Sequence, residues 1–143
     1  MATIRRLAAD DYDAVISLWR RAGLPSLRPA GRDSREAFGQ QLERGQIVLG
    51  LDESGNLIGC VVVTSDARKG WINRLAIDPD HRRKGYGMRL VRAAEAALRE
   101  QGLTVQAALI EEWNEASLAL FEKAGYAVHR DVLYVSRRDS SEA

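Results

Sequence analysis

Residues 75–91 read LAIDPDHRRKGYGMRLV. A strand-like apolar run ends in Asp78-Pro79, a basic triplet Arg82-Arg83-Lys84 follows, and Gly85-Tyr86-Gly87 opens a helical pattern. A strand that turns directly into a helix leaves free backbone N–H groups at the helix start. Those groups, with the positive end of the helix dipole, favour an anion. Glycine lets the backbone approach such a ligand without a Cβ in the way. The three cations add charge at the rim. The corner therefore predicts a phosphate or pyrophosphate site. It is not a P-loop, because the Gly-Lys-Ser/Thr ending is missing, and it lacks the third glycine of a dinucleotide fingerprint.

Upstream, WINRLAI (71–77) reads as the strand that feeds the corner. Before it, QIVLGL (46–51) and LIGCVVVT (57–64) are nearly continuous apolar runs separated by the turn-forming DESGN (52–56). Such runs predict a hairpin buried on both faces, with layers packed above and below. Downstream, the helix runs from Gly85 to Glu100. Met88, Val91, Ala94 and Leu98 form its apolar stripe, and Arg92, Glu95 and Arg99 pair along the solvated side. Gly102 ends it, and LTVQAALI (103–110) reads as another strand. Asn114 caps a helix over 115–124 that Gly125 closes. YAVH (126–129) and VLYVSRR (132–138) read as a closing hairpin, with a frayed tail at 139–143.

The N-terminal part begins with a strand over 2–7. A helix capped by Asp10 follows, carrying Val15, Leu18, Trp19 and Ala22 at helical spacing up to Gly23. LPSLRPAGR (24–32) is a loop, and Asp33 to Glu36 resembles a capping box for a second helix that ends at Arg44-Gly45. The order is β-α-α-β-β-β-α-β-α-β-β. It predicts an α/β (α+β) three-layer domain, with a mixed, mostly antiparallel sheet of about seven strands flanked by four helices. One domain is expected over 1–143, with its core in 2–138.

Composition narrows the function. The net charge is +1, so no whole-molecule field draws nucleic acid or acidic membrane, and the basic residues near the corner are interleaved with Asp and Glu. The single cysteine, Cys60, sits in an apolar strand, where inert packing is its expected role. One cysteine and two separated histidines predict neither a disulfide nor a metal site. No apolar run reaches membrane-spanning length, and a cytoplasmic location is expected.

The segment LAIDPDHRRKGYGMRLV resembles the coenzyme A-binding segment of the GNAT superfamily of N-acetyltransferases. The family motif, Arg/Gln-x-x-Gly-x-Gly/Ala, is matched by Arg82, Gly85 and Gly87, and its apolar-Ala-apolar-Asp-Pro strand end by Leu75 to Pro79. Asn114 with LALFEKAGY (118–126) resembles the family's Asn-x-x-Ala-x-x-Leu-Tyr-Glu-Lys-x-Gly-Phe. VISLW (15–19) and the closing VLYVSRR resemble small bacterial YpeA-like members. The resemblance implies acetyl-CoA as cofactor, no metal, and transfer of the acetyl group by direct attack of an amine on a small molecule or peptide N-terminus. It implies the pyrophosphate on the N–H groups around Arg82, Arg83, Lys84, Gly85, Tyr86, Gly87 and Met88. It implies the pantetheine arm along Leu75, Ala76 and Ile77, where the strand at 103–110 splays away in a V. Asn114 then serves as helix cap, as a contact to the arm, or as both, and Phe121 packs beside the arm.

The catalytic groups are less well matched. The tyrosine that many members use to protonate the leaving thiolate is Phe121 here, which leaves Tyr126 as a substitute candidate. The strand at 71–77 carries no carboxylate, so Glu111 and Glu112 are the candidate bases. Asn73 and Arg74 are candidate cleft residues, with strand alternation deciding which faces it. Without a strong base, a low-pKa amine suits the site. At pH 7 an ε-amine costs roughly 4–5 kcal/mol to deprotonate and a peptide α-amine about 1 kcal/mol. A non-catalytic acyl-CoA-binding module is the alternative reading. The stretch 28–35, RPAGRDSR, is expected to form one wall of the acceptor site, and the chain to act as a monomer or homodimer without nucleic-acid or membrane partners.

Overall fold

The two apolar runs form the middle of one sheet, as their β-branched composition requires. The computed structural model describes residues 1–143. Its strands are β1 (Thr3–Arg6), β2 (Ile47–Glu53), β3 (Asn56–Ser65), β4 (Gly70–Ile77) and β5 (Gln106–Ala107), in the order β1-β2-β3-β4-β5. The first three pairings are antiparallel and β4–β5 is parallel. The helices are α1 (Tyr12–Arg21), α2 (Arg35–Glu43), α3 (Tyr86–Glu100) and α4 (Glu115–Lys123).

Each face of the sheet carries its own core. Leu49, Leu51, Val61, Val63 and Ile72 pack with Leu90, Val91, Ala94 and Leu98 of α3 and Phe121 of α4. Val48, Cys60, Val62 and Ala76 pack with Val15, Leu18 and Trp19 of α1 and Phe38 of α2. Each fully buried large side chain contributes about 1.5–3 kcal/mol. The contact between α3 and the sheet edge is tight: a Cβ on Gly70 would stand 2.4 Å from Leu98 Cδ1. No helix is long and apolar enough to cross a membrane.

Several local expectations change. The sheet has five strands rather than about seven. The strand expected over 103–110 pairs only at Gln106 and Ala107, and 126–129 and 132–138 form no strand. The reason lies at the edge: a two-residue β5 offers no ladder on which a hairpin could extend. The closing segment is tethered by side chains instead. The Tyr126 hydroxyl donates to Glu95, and the Ala143 oxygen accepts from Arg32 and Arg138. Val132, Leu133, Tyr134 and Val135 are exposed along it.

The helix starts shift by one residue. Asp11, not Asp10, precedes α1, and its carboxylate accepts from the Ala8 N–H at 2.8 Å. Ser34, not Asp33, caps α2 by accepting from the Ala37 N–H at 3.1 Å. On α3 the buried set is Leu90, Val91, Ala94, Glu95 and Leu98, while Met88 is half-buried.

Candidate functional site

β4 and β5 touch only where Gly70 meets Gln106 and Trp71 meets Ala107. Beyond Trp71, β4 pairs on its β3 side alone, and its other edge opens into a cleft of about 1490 Å³. The cleft is walled by Asn73, Arg74 and Leu75 of β4, by 104–111 after the divergence, by Asn114, Ser117, Leu118 and Phe121 of α4, and by the closing segment. The V-shaped splay is thus a feature of the fold.

A β-bulge sits on the β4 side of this opening. Cys60 pairs with Ala76 and Val62 with Asn73, so Arg74 and Leu75 together oppose Val61. Arg74 takes φ +49°, a left-handed value unusual for a residue with a side chain. The bulge lets both Asn73 and Arg74 line the cleft, so alternation does not choose between them. Asn73 donates to Thr64 Oγ1 at 3.1 Å. The Arg74 guanidinium forms a bidentate pair with the buried Asp33 carboxylate and lies 4.9 Å from the centre of the Trp19 ring. Asp33 also accepts from the Arg28 N–H at 2.7 Å. These contacts fasten the 24–34 loop to the bulge.

At the end of β4 the chain enters the glycine corner. Asp78 accepts from the Asp80 N–H and from Arg21 Nε, both at 2.9 Å, and these bonds hold its carboxyl below the ordinary range. A 3-10 turn over Pro79–His81 follows. Arg83 (φ +66°) and Gly85 (φ +78°) are both left-handed, and Gly85 stands immediately before α3 without a capping side chain. The backbone N–H groups from Arg82 to Met88 have no acceptor within the protein. Arg82, Arg83 and Lys84 are exposed and form no ion pair. A row of unsatisfied donors beside three unpaired cations is an anion site by its physics. Gly87 faces α4, where a Cβ would stand 3.0 Å from Leu120 Cδ2. Tyr86 turns toward β2, and its hydroxyl donates to Glu53 at 2.7 Å.

The expected residues separate into groups. Leu75, Ala76 and Ile77 lie along β4, and residues 82–88 form the corner at its end. Ala76 faces the α1 core, while Leu75 and Ile77 pack on the α3 side. Asn114 is the cap of α4, accepting from the Ser117 N–H at 3.2 Å, and it lines the cleft. Phe121 is buried, with its ring edge-on to Tyr126 at 5.0 Å. Glu111 and Glu112 are both exposed, and Glu111 lines the cleft.

The Tyr126 hydroxyl is engaged: it donates to Glu95 Oε2 at 2.7 Å. Burial and the Glu95 carboxylate raise the phenol far above its ordinary value. Passing that proton to a thiolate whose acid has a pKa of about 8.5 is uphill. Glu95 is itself buried, is held by Arg92 at 3.0 Å, and lines the cleft. The sequence reading put it on the solvated side. Its spacing, four residues after Val91 and three before Leu98, was the available signal. Asp33 and Arg74 carried no such signal, because their pairing spans 41 positions.

Comparison with known proteins agrees with this geometry. An acetyltransferase of Sodalis glossinidius is 26% identical over 135 residues, covering 94% of each chain. A PaiA N-acetyltransferase from Thermoplasma acidophilum, solved in complex with coenzyme A, superposes with a TM-score of 0.80 at 21% identity, over 90% of this chain and 91% of that one. A ribosomal-protein-alanine N-acetyltransferase from Brucella melitensis biovar Abortus 2308 gives 0.74 at 21% identity, over 96% and 100%. The sequence profile of the acetyltransferase (GNAT) family matches residues 6–126, and the chain belongs to that family.

Proposed function

We propose that the protein is an acetyl-CoA-dependent N-acetyltransferase that delivers the acetyl group directly to the amine of a small molecule or peptide. The observation that carries this is the run of unsatisfied N–H groups from Arg82 to Met88, lying at the end of a strand whose outer edge is open. The pyrophosphate belongs on that run, with Arg82, Arg83 and Lys84 around it. The pantetheine amides pair along Leu75, Ala76 and Ile77 as an added strand. Asn114 and Phe121 line the opposite lip. A backbone N–H of the bulge serves the tetrahedral oxyanion, since fixed donors there need no reorganisation.

Proton transfer is the lighter part of the work. Phe121 offers no proton and Tyr126 is bound to Glu95, so the thiolate departs unassisted. A missing general acid costs about 10²–10⁴-fold, which leaves a working reaction. Glu111, exposed on the cleft wall, is the better placed of the two glutamates to take the amine proton through water.

Calorimetric titration with acetyl-CoA tests the proposal. Micromolar binding is expected for the wild type and none for an Arg82→Ala/Gly85→Asp double variant. Thiol release is then followed over a panel of amines. No binding by the wild type would overturn the reading. The engaged Tyr126 and buried Phe121 favour one alternative, a non-catalytic acyl-CoA-binding module, which predicts tight binding with no transfer to any amine.

A further inference from the structure

The glycine corner is tied to a turn on the far side of the sheet. Tyr86 is the first residue of α3, and its backbone N–H belongs to the unsatisfied run. Its ring packs against the core beneath α3, with the Arg89 guanidinium 5.9 Å from the ring centre. Its hydroxyl leaves the corner and donates to Glu53 Oε2 at 2.7 Å. Glu53 is the last residue of β2 and pairs with Asn56 across a two-residue turn. Ser54 (φ +53°) and Gly55 (φ +79°) in that turn are both left-handed, the geometry of a tight hairpin, so the backbone of Glu53 is held in place. The Tyr86 hydrogen bond, and then the charge of the nearby Lys84, keep the Glu53 carboxyl below its ordinary value, so it is ionised at neutral pH. An anion therefore stands beside an anion site. Lys84 nevertheless forms no ion pair, and the one hydrogen bond that Glu53 accepts from a side chain comes from Tyr86. Asp78, the buried acid of the corner, is occupied in its turn by Arg21 and by the Asp80 N–H.

We infer that Tyr86 is a positioning residue for the cofactor: its hydroxyl holds the Glu53 carboxylate away from Lys84 and so keeps the corner cationic for the pyrophosphate. The inference rests on the acetyl-CoA reading above and adds the β2–β3 turn to what tunes that site. Released from Tyr86, the carboxylate would pair with Lys84 and repel the phosphates. A phenol suits the task because it is a donor without charge. It engages the carboxylate and leaves every cation of the corner to the ligand. A plain brace between α3 and the turn behaves differently. Removing either partner of a brace weakens binding alike, whereas the loss of a restraint on an anion does harm only while that anion is charged.

The test titrates acetyl-CoA by calorimetry, at pH 7 and low ionic strength, into the wild type, Tyr86→Phe, Glu53→Gln and the double variant. Tyr86→Phe should raise Kd by about three- to tenfold, the effect of one added charge near a protein surface. Glu53→Gln alone should bind at least as tightly as the wild type. In the Tyr86→Phe background it should bring Kd back to the wild-type value. The Tyr86→Phe penalty should also shrink as salt is raised to about 0.5 M, since a charge effect is screened and a lost brace is not. Glu53→Gln weakening binding as much as Tyr86→Phe does, a double variant no better than Tyr86→Phe, or a Kd unmoved by Tyr86→Phe would each overturn the inference and leave acetyl-CoA binding standing. Failure of the wild type to bind acetyl-CoA would overturn the acetyl-transfer reading itself.

Discussion

Replacing Asp33 with alanine removes the carboxylate that the Arg74 guanidinium grips with two hydrogen bonds. Asp33 is 5% exposed and the Arg74 side chain 19% exposed, so little water reaches the guanidinium left behind. Its remaining partners are the Ser26 carbonyl at 3.4 Å and the face of Trp19. The Arg28 N–H loses its acceptor as well. Breaking a buried pair by removing one partner costs about 3–5 kcal/mol, a large share of a typical 5–15 kcal/mol. The melting temperature should fall by roughly 10 °C. Urea unfolding followed by circular dichroism measures the loss directly. The orphaned charge is the cause, so Asp33→Ala/Arg74→Met should recover much of it. Methionine has the Cβ of arginine and meets the same left-handed backbone, so that strain cancels. A loss below about 1 kcal/mol for the single variant, or a double variant no more stable than it, would refute the reasoning.

The two corner glycines separate conformation from space. Gly85 has open room around a missing Cβ but a left-handed backbone, so Gly85→Ala should cost about 1–2 kcal/mol and weaken acetyl-CoA binding. Gly87→Ala meets the movable end of Leu120 and should cost less; the reverse order in chemical denaturation would reject this account. Asp78 sits below its ordinary value of 3.8, so its stabilisation is complete above that value and is lost as pH falls through the depressed one. Asp78→Asn should flatten part of the acid side of a stability–pH curve, and an unchanged curve would remove Asp78 from the explanation. Burial pushes the Cys60 thiol up to about 12, so the native protein should resist alkylation at pH 8 and react once unfolded, as mass spectrometry would record.

Much of the fold was legible because its evidence is local. The apolar runs, the turn at 52–56 and the glycine stops each act within a few residues, and they located all four helices and the first four strands. Asp33 and Ser34 are both competent caps in adjacent positions, and the choice between them was made by Arg74, which claims Asp33. The closing segment carries β-favouring residues, Val132 to Val135, but a strand exists only against a partner, and β5 is too short to be one. The cofactor corner was readable for the same reason as the strands. The Asp33–Arg74 pair beside the cleft was not, since its two members lie 41 positions apart and meet only after the chain has folded.

The bulge at Arg74 has the effect of a reading-frame shift in the strand. Ile72 and Ala76 stand four positions apart, and an unbroken pleat would print them on the same side. They lie in opposite cores, Ile72 under α3 and Ala76 under α1. One surplus residue has changed the parity of the strand, so odd positions after it carry the meaning that even positions carried before. Deleting Arg74 would remove the surplus residue and leave Leu75 opposite Val61 and Ala76 opposite Cys60, so the faces of 75–77 would stay as they are. What would be lost is the left-handed residue whose guanidinium holds Asp33, and with it the fastening of the 24–34 loop to this edge of the cleft. The strand that leads to the corner is therefore spelled with an extra letter, and that letter is the one that ties the loop to the strand.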